Sequence, residues 1–304
     1  MGTQSSRSSQ ADGTKRHPAV QFFQKDFVKD IVFVLVAFLF LNSFVVASFV
    51  VPTGSMQNEI MAGDFLFVNK FLYGGTTPRN IPFLEVRLPW FRLPALRHVE
   101  RGDVIVFEFP GYRDEVRASE FQFYLKRCVA MSGDTVRVVN RVLLVNGKQS
   151  PIPRNMVFDN KRGKPAGYGE EGIFPRGAPY NEDNWGPEVV PSAGDLIPLS
   201  PANIDRWRTF IAREGHAVAS LGDGTILIDG KPASSYTVRR NYYFGMGDHR
   251  DNSLDSRFWG YIPDENIVGT PMIVYWSWNS DIPIYQIFSK LASVRLGRVG
   301  TIIK

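Results

Sequence analysis

The chain has 304 residues, a net charge of +5 and a sequence pI of about 9.3. Its 44% hydrophobic and 21% charged residues are typical of a globular protein, and no basic run interleaved with aromatic residues indicates nucleic-acid binding. A single cysteine, Cys128, excludes an internal disulfide. It lies in a strand-like apolar stretch, where a buried and inert thiol is expected.

An uncharged segment, Ile31 to Val51, follows a polar amino-terminal tail. At 1.5 Å per residue its length matches a hydrocarbon core of roughly 30 Å, and no amphipathic stripe favours a soluble helix. Residues 47–49 make a poor cleavage site for a secretory signal, so we predict a retained transmembrane helix over residues 27–51. Basic residues precede it, so residues 1–26 are predicted to be a disordered cytoplasmic tail.

Short strand patterns follow the span. Stretches rich in β-branched and aromatic residues predict strands at Asp64–Asn69, Asp103–Phe109, Phe121–Val129 and Thr135–Val145. Two dipeptides, Asn146-Gly147 and Asp229-Gly230, are signals for two-residue β-hairpin turns.

The middle of the chain, residues 150–225, is rich in Pro, Gly and charge, and only Ala202–Glu214 has a helical pattern. We therefore predict a mainly β fold, in which a single N-terminal transmembrane helix is followed by an exported β-sheet core with an inserted second domain. The core is assigned to residues 52–145 and 240–304, and the inserted domain to residues 146–239.

Residue spacing argues against several kinds of active site. The histidines outside the tail, His98, His216 and His249, have no metal-ligand spacing with Cys, Asp or Glu, and no HExxH motif occurs, so no metal or cofactor is expected. Gly-x-Ser-x-Gly is absent, and no serine has a lysine three residues later. A Ser-His-Asp triad that uses His249 stays open by composition.

A lysine in a predicted strand offers a different base. A neutral amine activates a serine only where burial in apolar surroundings lowers its pKa. In FQFYLKRCVAM, strand alternation places Lys126 on one face with Tyr124, while Phe123 and Leu125 point to the other face. A lone strand lysine is more often solvated, so the pattern alone does not decide between a base and a surface residue.

Five blocks along the chain carry a more specific signal. They are PTGSM at 52–56, GDFLFVNKFLYG at 63–74, RGDVIVF at 101–107, YLKRCVAMSGD at 124–134 and GDHRDNSLDSRFWGYIP at 247–263. In content and order they resemble the type I signal peptidases, or leader peptidases, over most of the predicted exported chain outside the insertion. The resemblance implies a Ser-Lys dyad endopeptidase that removes signal peptides from exported preproteins, with its catalytic residues in the β core and none in the inserted domain.

The resemblance assigns the reaction to a few residues. Ser55 would be the nucleophile and Lys126 the general base, while Thr53 and the backbone N–H of Ser55 would hold the oxyanion. Ser253 matches a serine that hydrogen-bonds the lysine. The ion pair expected to support the site is Asp255 with Arg257.

The resemblance also implies cleavage after small residues of the Ala-x-Ala type, because a large side chain clashes in a small pocket. The residues implied to line the pockets are Val51, Met56, Ile60 and Tyr124 for P1, and Phe49, Leu66 and Leu125 for P3. The sequence departs from the family pattern at residues 57–60, at Ala130 and Ser132, and at His249, where the family commonly has x-Pro-Thr-Leu, Gly and Pro, and Asn.

The same resemblance also implies binding partners and a cellular location. The expected partners are signal peptides of preproteins, the lipid bilayer and a neighbouring secretion translocon, and no nucleic acid. The expected place is the bacterial cytoplasmic (inner) membrane, with the N terminus inside and the catalytic domain on the outer face. Pro52 is expected to end the helix at the membrane surface, where it would hold Ser55 close to membrane-embedded substrates.

Two alternative functions predict different sequence features. A self-cleaving Ser-Lys protease of the LexA repressor type would carry a DNA-binding helix-turn-helix where this chain has a span. A catalytically altered envelope protein of the same fold, acting as a binding or assembly factor, would favour loss of Ser55 or Lys126, and both are present.

Overall fold

The computed structural model describes residues 18–81 and 86–304. The chain divides into two compact units, one that ends at Asn42 and one that runs from Ser43 to Lys304. Residues 1–17 of the predicted tail lie outside the described residues, so the tail stays a prediction.

Helix α1, Pro18–Phe44, forms the described part of the first unit. Its stretch Phe27–Phe44 is long and apolar enough to cross a membrane. Large apolar side chains between Phe27 and Leu41 are exposed, which is the surface that a helix surrounded by lipid needs. By length and composition, α1 fits the predicted span.

The predicted helical end at Val51 is wrong. Helix α1 ends at Phe44, and Val46–Val50 forms strand β1, which pairs antiparallel with Asp64–Asn69. This stretch of valines and a phenylalanine suits a pleated sheet, and pairing satisfies the backbone groups that leave the helix. Pro52 therefore follows a strand and does not end the helix.

A seven-stranded antiparallel sheet is the centre of the second unit, in the order β1-β2-β18-β5-β6-β16-β17. Its strands are β1 as above, β2 (Asp64–Asn69), β5 (Val104–Glu108), β6 (Phe123–Met131), β16 (Tyr242–Met246), β17 (Ile262–Pro263) and β18 (Ile267–Ser277). Two short strands, β3 (Asn80–Ile81) and β4 (Val86–Arg87), pair with each other. The mainly β fold is confirmed.

Three smaller sheets and a helix lie between β6 and β16 in the chain. The sheets have the orders β10-β7-β8-β9, β11-β15 and β12-β13-β14. Their strands are β7 (Thr135–Val139), β8 (Val142–Val145), β9 (Lys148–Gln149), β10 (Trp185–Val189), β11 (Leu196–Pro198), β12 (Val218–Ser220), β13 (Ile226–Ile228), β14 (Lys231–Pro232) and β15 (Ser235–Thr237). The helices of the second unit are α2 (Ile204–Arg213), α3 (Ser256–Trp259) and α4 (Ile287–Ala292).

Both predicted hairpin turns are confirmed. Asn146-Gly147 joins β8 to β9 and Asp229-Gly230 joins β13 to β14, and all four residues have positive φ, as a type I′ turn requires. The predicted strand Thr135–Val145 is instead two strands, because Asn140-Arg141 also has positive φ and turns the chain.

The hairpin β7–β8 bonds to β9 and β10, so one sheet spans the predicted domain limit at residue 146. The division of the chain into a core and an inserted domain stays a prediction.

Strand β6 lies between two hydrophobic clusters. Alternate residues of its partner β5 face opposite ways, Val104 and Val106 into one cluster and Ile105 and Phe107 into the other. Cys128 is buried in the second cluster, as predicted, and burial raises the pKa of its thiol far above the ordinary value. The strand that carries the predicted base therefore has an apolar environment on both faces.

Candidate active site

Ser55 and Lys126 meet in the structure. The Lys126 amine donates a hydrogen bond of 2.7 Å to the Ser55 hydroxyl, across 71 positions of sequence. Both side chains are buried, with 8% and 4% of their residue surface exposed. Register explains the position of the amine, since Lys126 pairs with Ile105 and points to the same face as Tyr124. The predicted alternation on this strand is confirmed.

A tight turn after β1 presents the serine. Within it the amide of Gln57 donates to the carbonyl of Gly54 (2.9 Å), and the amide of Ile60 donates to the carbonyl of Met56 (2.8 Å). Asn58 has a positive φ of 76°, a conformation that asparagine adopts more readily than most residues. The turn is therefore compact around Ser55 despite its departure from the family pattern.

Burial lowers the pKa of the Lys126 amine to about 8, although the charge of Asp255 opposes the shift. A group with that pKa is neutral in about a tenth of the molecules at pH 7. Because a neutral amine accepts a proton, the amine can take the hydroxyl proton of Ser55 without an acid-base group between them.

Two glycines let the segment 245–248 pack against Ser55 and Lys126. A Cβ on Gly247 would lie 2.2 Å from the hydroxyl of Ser253 and 2.6 Å from the carbonyl oxygen of Ser55. A Cβ on Gly245 would lie 3.1 Å from the Cβ of Lys126. Any larger residue at 247 would therefore displace the backbone of Ser55.

Asp255 and Arg257 form a buried bidentate ion pair, with oxygen–nitrogen distances of 2.9 and 2.8 Å. Asp255 also accepts a hydrogen bond from the backbone of Gly247 (3.1 Å). Burial would raise the pKa of this carboxyl, but the Arg257 charge holds it below the ordinary value. The pair therefore has the contacts expected of a support for the glycine segment.

The predicted hydrogen bond between Ser253 and Lys126 is absent from the structure. Ser253 is buried, yet within residues 18–81 and 86–304 its hydroxyl has no hydrogen-bond partner. The side chain is directed at Gly247 instead.

Thr53 is exposed at the start of the turn, two residues before Ser55. In the described part of the chain, the backbone N–H of Ser55 donates to no other group. Both groups are therefore free to donate to a substrate oxygen, as an oxyanion site requires.

Six of the seven predicted pocket residues lie in one cluster. Its members from that set are Val51, Met56, Ile60 and Leu66, with Phe49 and Leu125 packed at its edge. Tyr124 is the residue outside this cluster. It points to the face of β6 opposite Leu125, the face that also carries Lys126, and stacks on Phe109 at 4.2 Å between ring centroids. The pocket roles stay predictions.

The alternative triad has little geometric support. The His249 backbone N–H donates to the Ser55 carbonyl at 3.1 Å, but its ring does not bond the hydroxyl. One ring nitrogen lies 2.8 Å from a carboxylate oxygen of Asp159, at angles that do not make a hydrogen bond. His249 is thus part of the backbone that holds Ser55.

Sequence reasoning missed two charged contacts of this site. Arg127 follows the lysine and binds the buried carboxylate of Asp248 at 2.7 Å. Glu59, in the turn that carries Ser55, accepts a hydrogen bond from the backbone of Lys304 (2.8 Å) and another from the side chain of Asn155. Asp248 stands inside one of the five blocks and Glu59 between two of them, but nothing in the local sequence identifies their partners.

Comparison with known proteins decides the family. The family model described as signal peptidase, peptidase S26, matches residues 24–276. The chain belongs to this family. It is therefore an enzyme, a signal peptidase of the serine protease class, and the resemblance predicted from the five blocks is confirmed.

Individual relatives agree with that assignment. Signal peptidase I of Pseudomonas aeruginosa is 31% identical over 256 residues, which cover 81% of this chain and 70% of the relative. Signal peptidase I of Aquifex aeolicus is 26% identical over 295 residues, or 90% of this chain and 96% of the relative. A crystal structure of a signal peptidase I from Enterococcus faecalis is 19% identical over 58% of this chain and 98% of its own, with a TM-score of 0.26.

Proposed function

We propose that the enzyme removes signal peptides from exported preproteins with Ser55 as nucleophile and Lys126 as general base. The observation that carries the proposal is the 2.7 Å contact between the two side chains inside an apolar environment. Burial that lowers the pKa of the amine to about 8 gives the lysine the protonation state that a base requires.

The reaction follows from these atoms. The neutral amine takes the proton of the Ser55 hydroxyl as its oxygen attacks the scissile carbonyl. Negative charge on the carbonyl oxygen is stabilised by the N–H of Ser55 and the hydroxyl of Thr53. The lysine then returns the proton to the leaving amine of the mature protein, and the signal peptide stays as an ester on Ser55. A water molecule, activated by the same amine, hydrolyses that ester.

The free edges of two strands indicate where the substrate binds. Strand β16 pairs with β6 only from Arg127 to Met131, so among the described residues the stretch Phe123–Lys126 has an edge without a partner strand on that side. In the same part of the chain, strand β1 pairs with β2 alone. The rings of Phe49 and Phe123, one from each strand, meet edge to face at 5.1 Å. An extended peptide added to these edges would reach Ser55 with alternate side chains pointing inward.

Those inward side chains set the proposed Ala-x-Ala preference. The hydrophobic cluster that contains six of the predicted pocket residues is filled by fully buried side chains such as Met56, Ile60 and Leu66. A small P1 or P3 side chain fits without displacing them, and each extra methylene changes selectivity by about 1–3 kcal/mol.

We propose further that α1 anchors the enzyme in the bacterial cytoplasmic membrane, with the N terminus inside and the second unit outside, beside the translocon. Support comes from the apolar stretch Phe27–Phe44 and from the basic residues on its amino-terminal side. Protease added to intact spheroplasts should degrade the second unit and spare the tail. Digestion of the tail alone would overturn this orientation.

Residues 146–239 are proposed as an inserted, non-catalytic domain. Support comes from the sheets β11-β15 and β12-β13-β14, which lie wholly within these residues and take no part in the seven-stranded sheet. The hairpin β7–β8 would belong with this domain, because its strands pair with β9 and β10.

Cleavage of a synthetic signal peptide tests the function. The full-length protein in detergent should cut an Ala-x-Ala peptide after the second alanine, and a P1 leucine should slow the cut. Ser55→Ala, with unchanged thermal unfolding, should not cut. A folded wild type that cuts nothing would favour the binding or assembly factor, and one that cuts only its own chain would favour the self-processing alternative.

A further inference from the structure

A cavity of about 350 Å³ lies beside the site, between β6, the β8–β9 hairpin and the loop after His249. Its charged lining consists of cations alone, and the rest is mostly apolar. The lining includes Arg101, Arg127, Lys148, Arg250, Val129 and Leu143. The mechanism above uses none of these side chains.

Arg250 is the unusual member of this lining. Only 3% of its surface is exposed, yet in the described residues its guanidinium has no ion pair and no hydrogen-bond acceptor. Arg257, which is equally buried, shows the normal arrangement, since it is paired with Asp255. Burial lowers the pKa of the Arg250 guanidinium to about 10, so it is still protonated at neutral pH. A buried cation without a counter-charge is costly.

The charges of Asp255 and Asp248 partly oppose the fall in the pKa of Arg250, but these carboxylates are ion-paired with Arg257 and Arg127 and not with Arg250. Arg101 is already paired with Asp134 at 2.5 Å, and Arg127 is already paired with Asp248 at 2.7 Å. Lys148 lies on the exposed rim and has no ion pair within the described part of the chain. Two positive charges of the cavity, those of Arg250 and Lys148, are therefore uncompensated.

We propose that this cavity binds an oxyanion of the phosphate class, supplied either as a free phosphate or as the phosphate of a lipid headgroup. A guanidinium donates two parallel hydrogen bonds to such an anion. A phosphate dianion would offset both uncompensated charges, whereas one carboxylate would offset only one. The apolar walls at Val129 and Leu143 leave contact surface for an organic group esterified to the phosphate.

The cavity is adjacent to the proposed dyad, but its side chains contribute no reacting atoms. Arg250 directly follows His249, whose N–H donates to the Ser55 carbonyl, and Arg127 directly follows Lys126. The proposal rests on the cavity and its charges, and not on the proposed function. Binding therefore has its own readout, and its failure would leave the peptidase proposal untouched.

Thermal unfolding of the full-length protein in a zwitterionic detergent tests binding. The probes are inorganic phosphate, glycerol 3-phosphate and micelles of short-chain phosphatidylglycerol, each against chloride at equal ionic strength. Phosphate-class probes should raise the midpoint in a saturable way, since a ligand that binds only the folded state stabilises it. Response to the soluble probes identifies a free phosphate, and response to phosphatidylglycerol but not phosphatidylcholine identifies a headgroup.

Two variants and a control locate the site. Arg250→Met should weaken binding by at least about tenfold, the ratio that matches a lost charged hydrogen bond. Lys148→Ala, at an exposed position that should tolerate change, should weaken it by a smaller factor. Lys231→Ala, an exposed lysine of β14 outside the cavity, should bind as the wild type does.

The results that support the proposal differ from those that overturn it. Without phosphate, Arg250→Met should unfold at or above the wild-type temperature, because it removes an uncompensated buried charge and no hydrogen bond. The proposal is overturned if no phosphate-class probe shifts the wild type more than chloride does. It is equally overturned if Lys148→Ala and a folded Arg250→Met both retain the wild-type response.

Discussion

Two lysines of the second unit are buried to the same degree but have opposite surroundings. Lys126 and Lys290 have 4% and 5% of their surface exposed. Lys290 donates to the carbonyl oxygens of Asn279 and Ile282, both at 2.7 Å, and its amine lies 4.9 Å from the ring centre of Trp278. Lys126 donates only to the hydroxyl of Ser55 within the described residues.

The difference shows that burial alone does not make a lysine a base. Carbonyl oxygens and an aromatic face stabilise an ammonium ion, so the site of Lys290 holds a cation in place. The Ser55 hydroxyl can also donate, so the site of Lys126 accommodates a neutral amine. Acceptors around the amine, more than its exposure, therefore distinguish a lysine held as a cation from one that can be neutral.

Replacement of Lys126 should have the largest effect. Both Lys126→Met and Lys126→Arg should lower kcat/KM by about 10²–10⁴-fold, the contribution of a general base, because a guanidinium does not lose its proton in proteins. Peptide cleavage by each purified variant measures this loss.

His249→Ala and Lys290→Met are the matched variants for that measurement. Each should retain most of the activity per folded molecule. An active Lys126→Met together with an inactive His249→Ala would show that the base is a histidine and would remove the contrast between the two lysines.

Removal of an oxyanion donor should have the next largest effect. Thr53→Ala takes away one hydroxyl from the place where negative charge develops, which costs about 10²–10³ in kcat. Thr53→Ser restores a hydroxyl and should restore most of the rate. A Thr53→Ala enzyme as fast as the wild type would show that the Ser55 N–H acts with a different partner.

The pH dependence of kcat/KM tests the proposed neutral amine directly. Burial lowers the Lys126 pKa to about 8, so the neutral fraction in the free enzyme rises from about 1% at pH 6 to about half at pH 8. Activity should therefore rise about 50-fold over this range and level off above it. A rate that falls with pH over the same interval would mean that the lysine acts in its charged form.

Local patterns predicted the parts of this molecule that depend on neighbours in sequence. Alternation placed Lys126 and Tyr124 on one face, and the residue pair Asn146-Gly147 predicted its hairpin. The end of α1 was missed because Val46–Val50 continues the apolar composition of the helix, and only its pairing with β2 separates the two. Apolar composition does not distinguish a lipid-facing helix from a half-buried strand when the run is continuous.

Contacts between distant residues account for the other errors. The Ser253 hydroxyl was expected at the lysine but faces Gly247, a choice of rotamer that no sequence pattern encodes. The missing counter-charge of Arg250 is equally invisible, because the block GDHRDNSLDSR contains enough carboxylates for every arginine in it. Only the structure shows that Asp248 and Asp255 bind Arg127 and Arg257 instead.

The smallest expected effect is on the free energy of unfolding. Its sign should differ between substitutions of the two lysines. Lys290→Met leaves the carbonyls of Asn279 and Ile282 without their donor, which should lower the free energy of unfolding by about 1–3 kcal/mol. Lys126→Met should raise that free energy at pH 7, because it removes an amine that is mostly charged and buried with few acceptors. Urea unfolding of both variants and the wild type in detergent measures these differences.

The pH dependence of the free energy of unfolding tests the sign expected for Lys126→Met independently. Between the folded pKa of about 8 and the ordinary value of 10.5, the unfolded chain holds the Lys126 proton more often than the folded chain does. Wild-type stability relative to Lys126→Met should therefore rise with pH across this window, by about 3 kcal/mol in total at 1.36 kcal/mol per pKa unit. Below pH 8 this contribution is lost. If Lys126→Met is less stable than the wild type at pH 7 and the difference does not change with pH, then Lys126, like Lys290, is a satisfied structural cation and the contrast between them fails.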